Sequence, residues 1–302
     1  MSAVECVACG SRADEIRVRL GGVSLAECAR CRTWTYAPRP DDVTQAGIHD
    51  SEEYYGHQYF DLRRTITPRL RRRCRATFAR IGRWIDLESL RGERLLDVGC
   101  DTGAFARCAA DEFGIVPVGI DVAGRAVEQA RQSGVEAYRS TIETAPQSLR
   151  DFRVVTAIDV VEHVSNPLEF LQALIARLRP GGVTYLETPN IHSAVYRVGA
   201  GLCGLAHGRP IDVWERLFPP QHLQYFTRLS FSRLAERAGF EIREIDTRPL
   251  PAPDIAASMS VRLGVGALQA WDRLIGTEIL ICAVLAAPGS SSSAAPSCRN
   301  ES

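Results

Sequence analysis

Four cysteines stand as two pairs, Cys6-x-x-Cys9 and Cys28-x-x-Cys31, with eighteen residues between the pairs. A Cys-x-x-Cys turn aims two thiolates at one point, and two such turns complete the sulfur tetrahedron that Zn²⁺ prefers. Gly10 follows the first pair, where a tight turn is needed. Four sulfur ligands leave no open coordination position, so this centre is expected to be structural. Too little apolar sequence surrounds it to fold unaided, and metal binding would supply the missing stability. A second constellation is Asp97-Val98-Gly99-Cys100-Asp101-Thr102-Gly103, followed by the acid that closes Val118-Gly119-Ile120-Asp121. Glycines in such a turn let the backbone approach a ligand closely, and an acid about twenty residues later can accept hydrogen bonds from both hydroxyls of a ribose. A nicotinamide site would show Gly-x-Gly-x-x-Gly; here the third position is Asp101 and the sixth Ala104, which counts against that reading.

These residues need particular elements to position them. Leu95-Leu96-Asp97-Val98-Gly99 reads as a strand feeding a helix through about Phe113, and short apolar runs alternate with amphipathic helices from Arg94 onward. That alternation argues for an α/β sheet with parallel strands, with a ligand at the strands' carboxyl edge. A strand at Val154 to Asp159 puts His163 just past that edge, where an imidazole can act as a general base at neutral pH. His222 is a second candidate, because it follows the segment 191–220, whose Tyr196, Leu202, Leu205, Trp214 and Phe218 read as an amphipathic lid over an acceptor pocket. Upstream, Thr67-Pro68 is a helix start, with Leu70, Cys74, Phe78, Ile81 and Ile85 on one buried face and Arg71-Arg72-Arg73 expected in solvent. Ile16, Val18 and Leu20 before Gly21-Gly22 predict a hairpin between the cysteine pairs.

The organisation expected is a ribbon at 1–37, a linker at 38–67 with the aromatic cluster Tyr54, Tyr55, Tyr59 and Phe60, a large domain at 68–288 and a Ser-rich disordered tail at 289–302. Across 302 residues, 45% hydrophobic, the 36 basic residues balance 36 acidic ones, so no global field draws nucleic acid or anionic lipid. All the basic residues are Arg, which reads as codon bias. Within the ribbon, Arg12, Arg17, Arg19, Arg30 and Arg32 are offset by Glu5, Asp14, Glu15 and Glu27, so a nucleic-acid partner is not expected. The N-terminus does not resemble a secretory signal, and the longest apolar stretch, Ile279 to Ala287, is far short of the ~20 residues that cross a bilayer. A soluble, cytoplasmic protein without membrane partners is expected, and a reducing compartment disfavours disulfides among its ten cysteines.

The Asp97 to Gly103 turn resembles the first motif of the class I S-adenosylmethionine-dependent methyltransferases, an acid, a residue, then Gly-x-Gly-x-Gly, with Asp101 in place of the middle glycine. Leu178-Arg179-Pro180-Gly181-Gly182, a fifth strand from Val183 to Glu187 leading to Thr188-Pro189-Asn190, and Gln221-His222-Leu223-Gln224-Tyr225-Phe226-Thr227 are similar to later landmarks of that family. A four-cysteine ribbon, Pro-Arg-Pro and a tyrosine-rich linker precede the catalytic domain in many bacterial members, including enzymes that methylate sugars or biosynthetic intermediates. The resemblance implies a Rossmann-like, seven-stranded doubly wound sheet, with Thr277 to Ala286 as its final strand. The methyl donor would lie extended across the strand ends. Asp97, Gly99, Cys100, Gly103 and Asp159 would then serve the cofactor, Asp121 its ribose and Val122 its adenine, and the acceptor would be a small molecule. Ubiquinone-type members carry Glu-x-x-Glu-His, associated with a divalent metal, where this chain has Asp159-Val160-Val161-Glu162-His163. The shorter Asp159 counts against a metal there, while Glu162 and His163 stay catalytic candidates. An alternative of another class is a non-catalytic protein that binds the cofactor or its demethylated product and docks on a partner through the ribbon.

Overall fold

The computed structural model describes residues 4–21, 23–38, 65–250 and 259–289, so the tyrosine cluster of the linker and the tail from Ser290 lie outside the described residues. The large sheet has seven strands: β5 (Arg94–Val98), β6 (Val116–Asp121), β7 (Glu136–Arg139), β8 (Phe152–Ile158), β9 (Leu178–Pro189), β11 (Glu241–Arg248) and β12 (Leu280–Ala286), in the order β11-β12-β9-β8-β5-β6-β7. The pairs from β7 to β9 are parallel, whereas β12 runs antiparallel to both β9 and β11. The central strands are near-continuous apolar runs because helices cover both faces: Leu95, Leu96, Val154, Val155, Leu186, Ile281 and Leu285 are all buried. The expected fourth and last strands are shifted by one to three residues at their ends, the usual scatter of strand boundaries.

Helix α1 (Pro68–Ile81) begins as the sequence predicts, with Thr67 Oγ1 accepting from Leu70 N at 3.1 Å and Pro at the first position. It buries Cys74, Phe78 and Ile81 against the sheet. Of its arginines Arg72 is exposed as expected and Arg71 pairs at the surface with Glu112 at 2.8 Å, whereas Arg73 departs from the expectation by reaching across the strand ends to Asp159 and Glu187. Helices α2 (Ala104–Phe113), α3 (Gly124–Gln132) and α4 (Pro167–Ile175) complete the crossovers. Asn166 caps α4 ahead of Pro167.

The cysteine segment forms β1 (Val4–Glu5), β2 (Arg12–Leu20), β3 (Val23–Cys28) and β4 (Trp34–Ala37), with β2 and β3 joined in the expected hairpin. The sheet of the ribbon is not confined to residues 1–37. Strand β10 (Gln224–Tyr225), from the far end of the large domain, adds to the edge of β4 with Thr35 opposite Gln224 and Trp34 opposite Tyr225. The sheet thus runs β1-β2-β3-β4-β10, and the edge that an isolated ribbon would leave unpaired is closed by the domain itself.

The 191–220 segment folds as α5 (Ala194–Leu205) and α6 (Ile211–Glu215). Val195, Tyr196, Ala200 and Cys203 of α5 share one buried cluster with Val18, Leu25, Trp34 and Tyr36 of the ribbon. Leu202 and Leu205, expected on a lid's inner face, are exposed. Helix α7 (Arg228–Ala238) opens on a capping box between Thr227 and Ser230. Helix α8 (Met259–Ile275) packs on α5, whose first turn is capped by Asp272 accepting from Ala194 N at 2.7 Å. Among the described residues no helix is long and apolar enough to cross a membrane.

Candidate active site and cysteine centre

The glycine turn sits at the carboxyl end of β5, between β6 and β8. Gly99 and Gly103 both have positive φ, +71° and +75°. A Cβ at Gly99 would lie 2.5 Å from Val160 Cγ2, so only glycine lets the turn pass under the loop that leaves β8. Asp101, standing where the middle glycine is expected, keeps a left-handed backbone at φ +49°, which Asp tolerates better than most residues. Its N–H donates to Asp121 Oδ2 at 2.9 Å, while Ala123 N donates to Oδ1 at 2.9 Å. The carboxylate that closes β6 is therefore aimed by two backbone amides, one from each flanking turn. Val122 follows it on the surface. Cys100 presents only its backbone to the turn, because its side chain packs inward with Ala106, Val127, Ala130 and Val135. Asp97 is buried beneath, with Oδ1 accepting from Thr156 Oγ1 at 2.7 Å. Burial pushes its carboxyl up to about 7, and repulsion from Asp121 and Asp101 adds to the rise.

The loop after β8 carries Asp159, Glu162 and His163. Asp159 takes a left-handed φ of +57° and accepts from Arg73 Nη2 at 2.8 Å. Arg73 also bonds Glu187, which Arg248 holds from the other side. Burial opposes ionisation of Glu187, but the two guanidiniums outweigh it and hold the carboxyl down at about 2. Glu162 is fully buried, with Oε2 accepting from Thr188 Oγ1 at 3.0 Å and Oε1 bonded to no described residue. Burial, and after it the nearby Asp159, raise its pKa well above the ordinary carboxylate value.

The structure brings the two candidate histidines together. The rings of His163 and His222 meet edge to face with centroids 4.6 Å apart, and His163 Nδ1 lies 2.9 Å from the Gln221 carbonyl. A carbonyl only accepts, so Nδ1 carries the hydrogen of the neutral ring and Nε2 is left as its basic nitrogen. One ligand atom each of Glu162, His163 and His222 falls within 4.8 Å of the others, close enough to hold a metal ion with no contribution from Asp159. Under His222 lies an aromatic cluster in which Tyr225, Tyr196 and Phe218 pack within 6.0 Å of one another and Trp34 of the ribbon stacks on Phe218.

In the ribbon, Cys6 Sγ and Cys31 Sγ are 3.4 Å apart, Cys9 Sγ and Cys28 Sγ are 3.6 Å apart, and all four sulfurs lie within 4.8 Å of one another. Sulfurs at the ~2.3 Å zinc–thiolate distance of a tetrahedral centre would be about 3.8 Å apart, so the set fits the ion. The two cysteine turns repeat one geometry: Gly10 N donates to Cys6 O and Arg32 N to Cys28 O, both at 2.8 Å, with Gly10 and Arg32 both at positive φ.

Sequence reasoning missed Arg73, Glu187, Arg248 and Gln224. Glu187 left a signal, as an acid following the uncharged run Val183 to Leu186 within a central strand; Arg73 left none, being one arginine among three.

The sequence pattern of the family described as "Methyltransferase domain" matches residues 66–245. The chain belongs to that family. Its methyltransferase domain has the class I S-adenosylmethionine methyltransferase fold. The chain is 30% identical over 177 residues to the ubiquinone biosynthesis O-methyltransferase of Paracidovorax citrulli, covering 55% of this chain and 74% of that protein. It is 29% identical over 161 residues to the Idiomarina loihiensis protein of the same name, covering 51% of this chain and 64% of that one. The alignment with the latter thus spans somewhat less than two thirds of the relative's length. Among solved structures, the plantazolicin methyltransferase BpumL in complex with SAH superposes with a TM-score of 0.52 at 17% identity, covering 80% of this chain and 94% of that one, a likeness of fold.

Proposed function

We propose that this chain transfers a methyl group from S-adenosylmethionine to a hydroxyl of a small molecule. The observation that carries the proposal is the paired acid geometry at the strand ends. A glycine turn too tight for a Cβ leads from β5, and Asp121 is oriented by amides from two turns at the end of β6. Asp97, Gly99, the Cys100 backbone and Gly103 would hold the methionine end of the cofactor, Asp121 its ribose and Val122 its adenine, with Asp159 beside it. When bound, the cofactor supplies an electrophilic methyl on a cationic sulfonium.

The chain's own part is to orient the acceptor, exclude water and remove a proton. His163 is set for the last, because its Nδ1–H is held by Gln221 O and Nε2 can take the acceptor's proton. His222 packs against it edge to face. Glu162, buried beside it with its pKa raised by that burial, is anchored by Thr188 Oγ1, which donates to its Oε2 at 3.0 Å. The relatives' printed name, an O-methyltransferase of ubiquinone biosynthesis, supports an oxygen acceptor. Sugars, nucleotide sugars and secondary-metabolite intermediates remain within the proposed class. Cys6, Cys9, Cys28 and Cys31 would hold one structural Zn²⁺.

Titration calorimetry of zinc-loaded protein with S-adenosylmethionine tests the binding step. Asp121→Ala removes both ribose acceptors and is expected to weaken affinity at least about tenfold, each hydrogen bond to a charged group contributing about 1.5–3 kcal/mol. S-adenosylhomocysteine release across a panel of catechols and sugar nucleotides tests catalysis. No heat from the wild type would end the proposal, and binding without turnover on every acceptor would favour a non-catalytic role.

A further inference from the structure

We infer that Gln224 is the positioning residue for the His163–His222 pair and that the ribbon strand β4 is its support, an inference that rests on reading that pair as the proton-handling site. The Gln224 side chain is fully buried. Its Nε2 donates to Val161 O at 2.9 Å and to Val164 O at 2.8 Å, the carbonyls that bracket Glu162 and His163. One amide nitrogen thus spends both of its hydrogens on the loop that carries the base. The backbone adds a third tie, Leu223 N to Glu162 O at 2.8 Å, and the His163 bond to Gln221 O is a fourth.

A two-residue strand has no rigidity of its own, so something must hold Gln224. The ribbon does so from the opposite side. Strand β4 pairs with β10, Tyr36 N donates to Leu223 O at 2.9 Å, and Tyr36 Oη donates to Phe218 O at 2.7 Å. Just beyond β10, Thr227 Oγ1 donates to the carbonyl of Cys31, itself one of the four clustered cysteines. Residues 221–224 are therefore clamped between the cysteine centre and the catalytic loop. The side-chain requirement is narrow. Glu offers no donor when ionised, Met offers none at all, and Asn is one methylene, about 1.5 Å, too short to bridge both carbonyls.

The test uses full-length, zinc-loaded, ¹⁵N-labelled protein and reads the ring nitrogens of His163 by NMR, a readout that needs no acceptor. In the wild type His163 is expected as the Nδ1–H tautomer. In Gln224→Met that preference is expected to be lost, while S-adenosylmethionine affinity stays within about threefold because Gly99, Gly103 and Asp121 belong to other turns and Asp159 is held separately by Arg73. Should Gln224→Met fail to fold, Gln224→Asn is expected to show the same loss, and Tyr36→Phe on the ribbon side a partial one. On any acceptor that the wild type turns over, kcat should fall at least about tenfold with little change in KM for the cofactor. An unchanged His163 tautomer in Gln224→Met or Gln224→Asn overturns the inference, as does a parallel loss of tautomer and cofactor binding, which would mark a merely structural residue. Absence of turnover in the wild type would count against the proposed activity while leaving the tautomer measurement to decide the role of Gln224.

Discussion

Asp97 shows how far one side chain's environment departs from its solution chemistry. Burial holds its carboxyl near 7, whereas in the unfolded chain it titrates near 4. Below pH 4 both states are protonated. Between about 4 and 7 the unfolded chain gives up the proton that the folded chain keeps, so stability falls as pH rises through that window and then levels off. Asp97→Asn keeps an acceptor for Thr156 and removes the titration. It is therefore expected to be about as stable as the wild type at pH 4 and more stable at pH 8, by up to about 4 kcal/mol for a shift of about three pKa units. Urea unfolding at the two pH values measures this, and a gap that does not grow with pH refutes it. The same residue illustrates a conflict between folding and function. The ionised form of Asp97, which burial disfavours, would be favoured beside a sulfonium or an ammonium group, so Asp97→Asn should weaken cofactor binding as it stabilises the fold.

At the level of elements, helix α1 and strands β9 and β11 are joined by one ionic knot at Glu187. Arg73 comes from the helix, Arg248 from β11, and Tyr185 Oη adds a hydrogen bond from within β9. Because the folded-state pKa is depressed, the stability it contributes is present above pH 4 to 5 and is lost as pH falls toward 2. Glu187→Gln leaves two guanidiniums facing each other around a neutral amide. Breaking a buried pair from one side costs about 3–5 kcal/mol, and because Arg73 keeps about a third of its surface in solvent the lower end is expected, about 3 kcal/mol by urea unfolding at pH 7. Loss below 1 kcal/mol would mean that Arg73 re-pairs with Asp159 alone. Helix α1 was legible from its cap and its apolar stripe. The reach of Arg73 was not, because periodicity tells which side of a helix is buried but not which polar groups lie opposite its rim.

At the scale of the whole molecule, the two sheets depend on each other. The cysteine ribbon gives α5 and β10 a surface to pack on, and β10 closes the ribbon's open edge. Metal at the cysteine centre should therefore stabilise more than its own segment. One zinc per chain is expected by elemental analysis, and Cys28→Ser is expected to lower the thermal midpoint by about 10 °C, since each kcal/mol moves a domain of this size by about 2–4 °C. A variant that loses zinc yet keeps its midpoint and the chemical shifts of residues 221–227 would show the ribbon to be an independent appendage.

The motifs defined by residue type and short spacing were readable without coordinates as local geometry: the paired Cys-x-x-Cys turns, the glycine turn after β5 and the acid ending β6. In each, the residues that must meet are within one turn or one crossover of each other, and the physical demand falls on a specific residue type, a thiolate, a residue without Cβ or a carboxylate. The α/β alternation was legible for a similar reason, since parallel strands buried on both faces must be apolar throughout. What only the tertiary structure decided involves partners far apart in the chain: Arg73 with Asp159 and Glu187, His163 with His222, and β4 with β10 across nearly two hundred residues. Such pairings are chosen by how the layers stack, and the same side chains in another packing would have been ordinary surface arginines, solitary histidines and an unpaired strand edge.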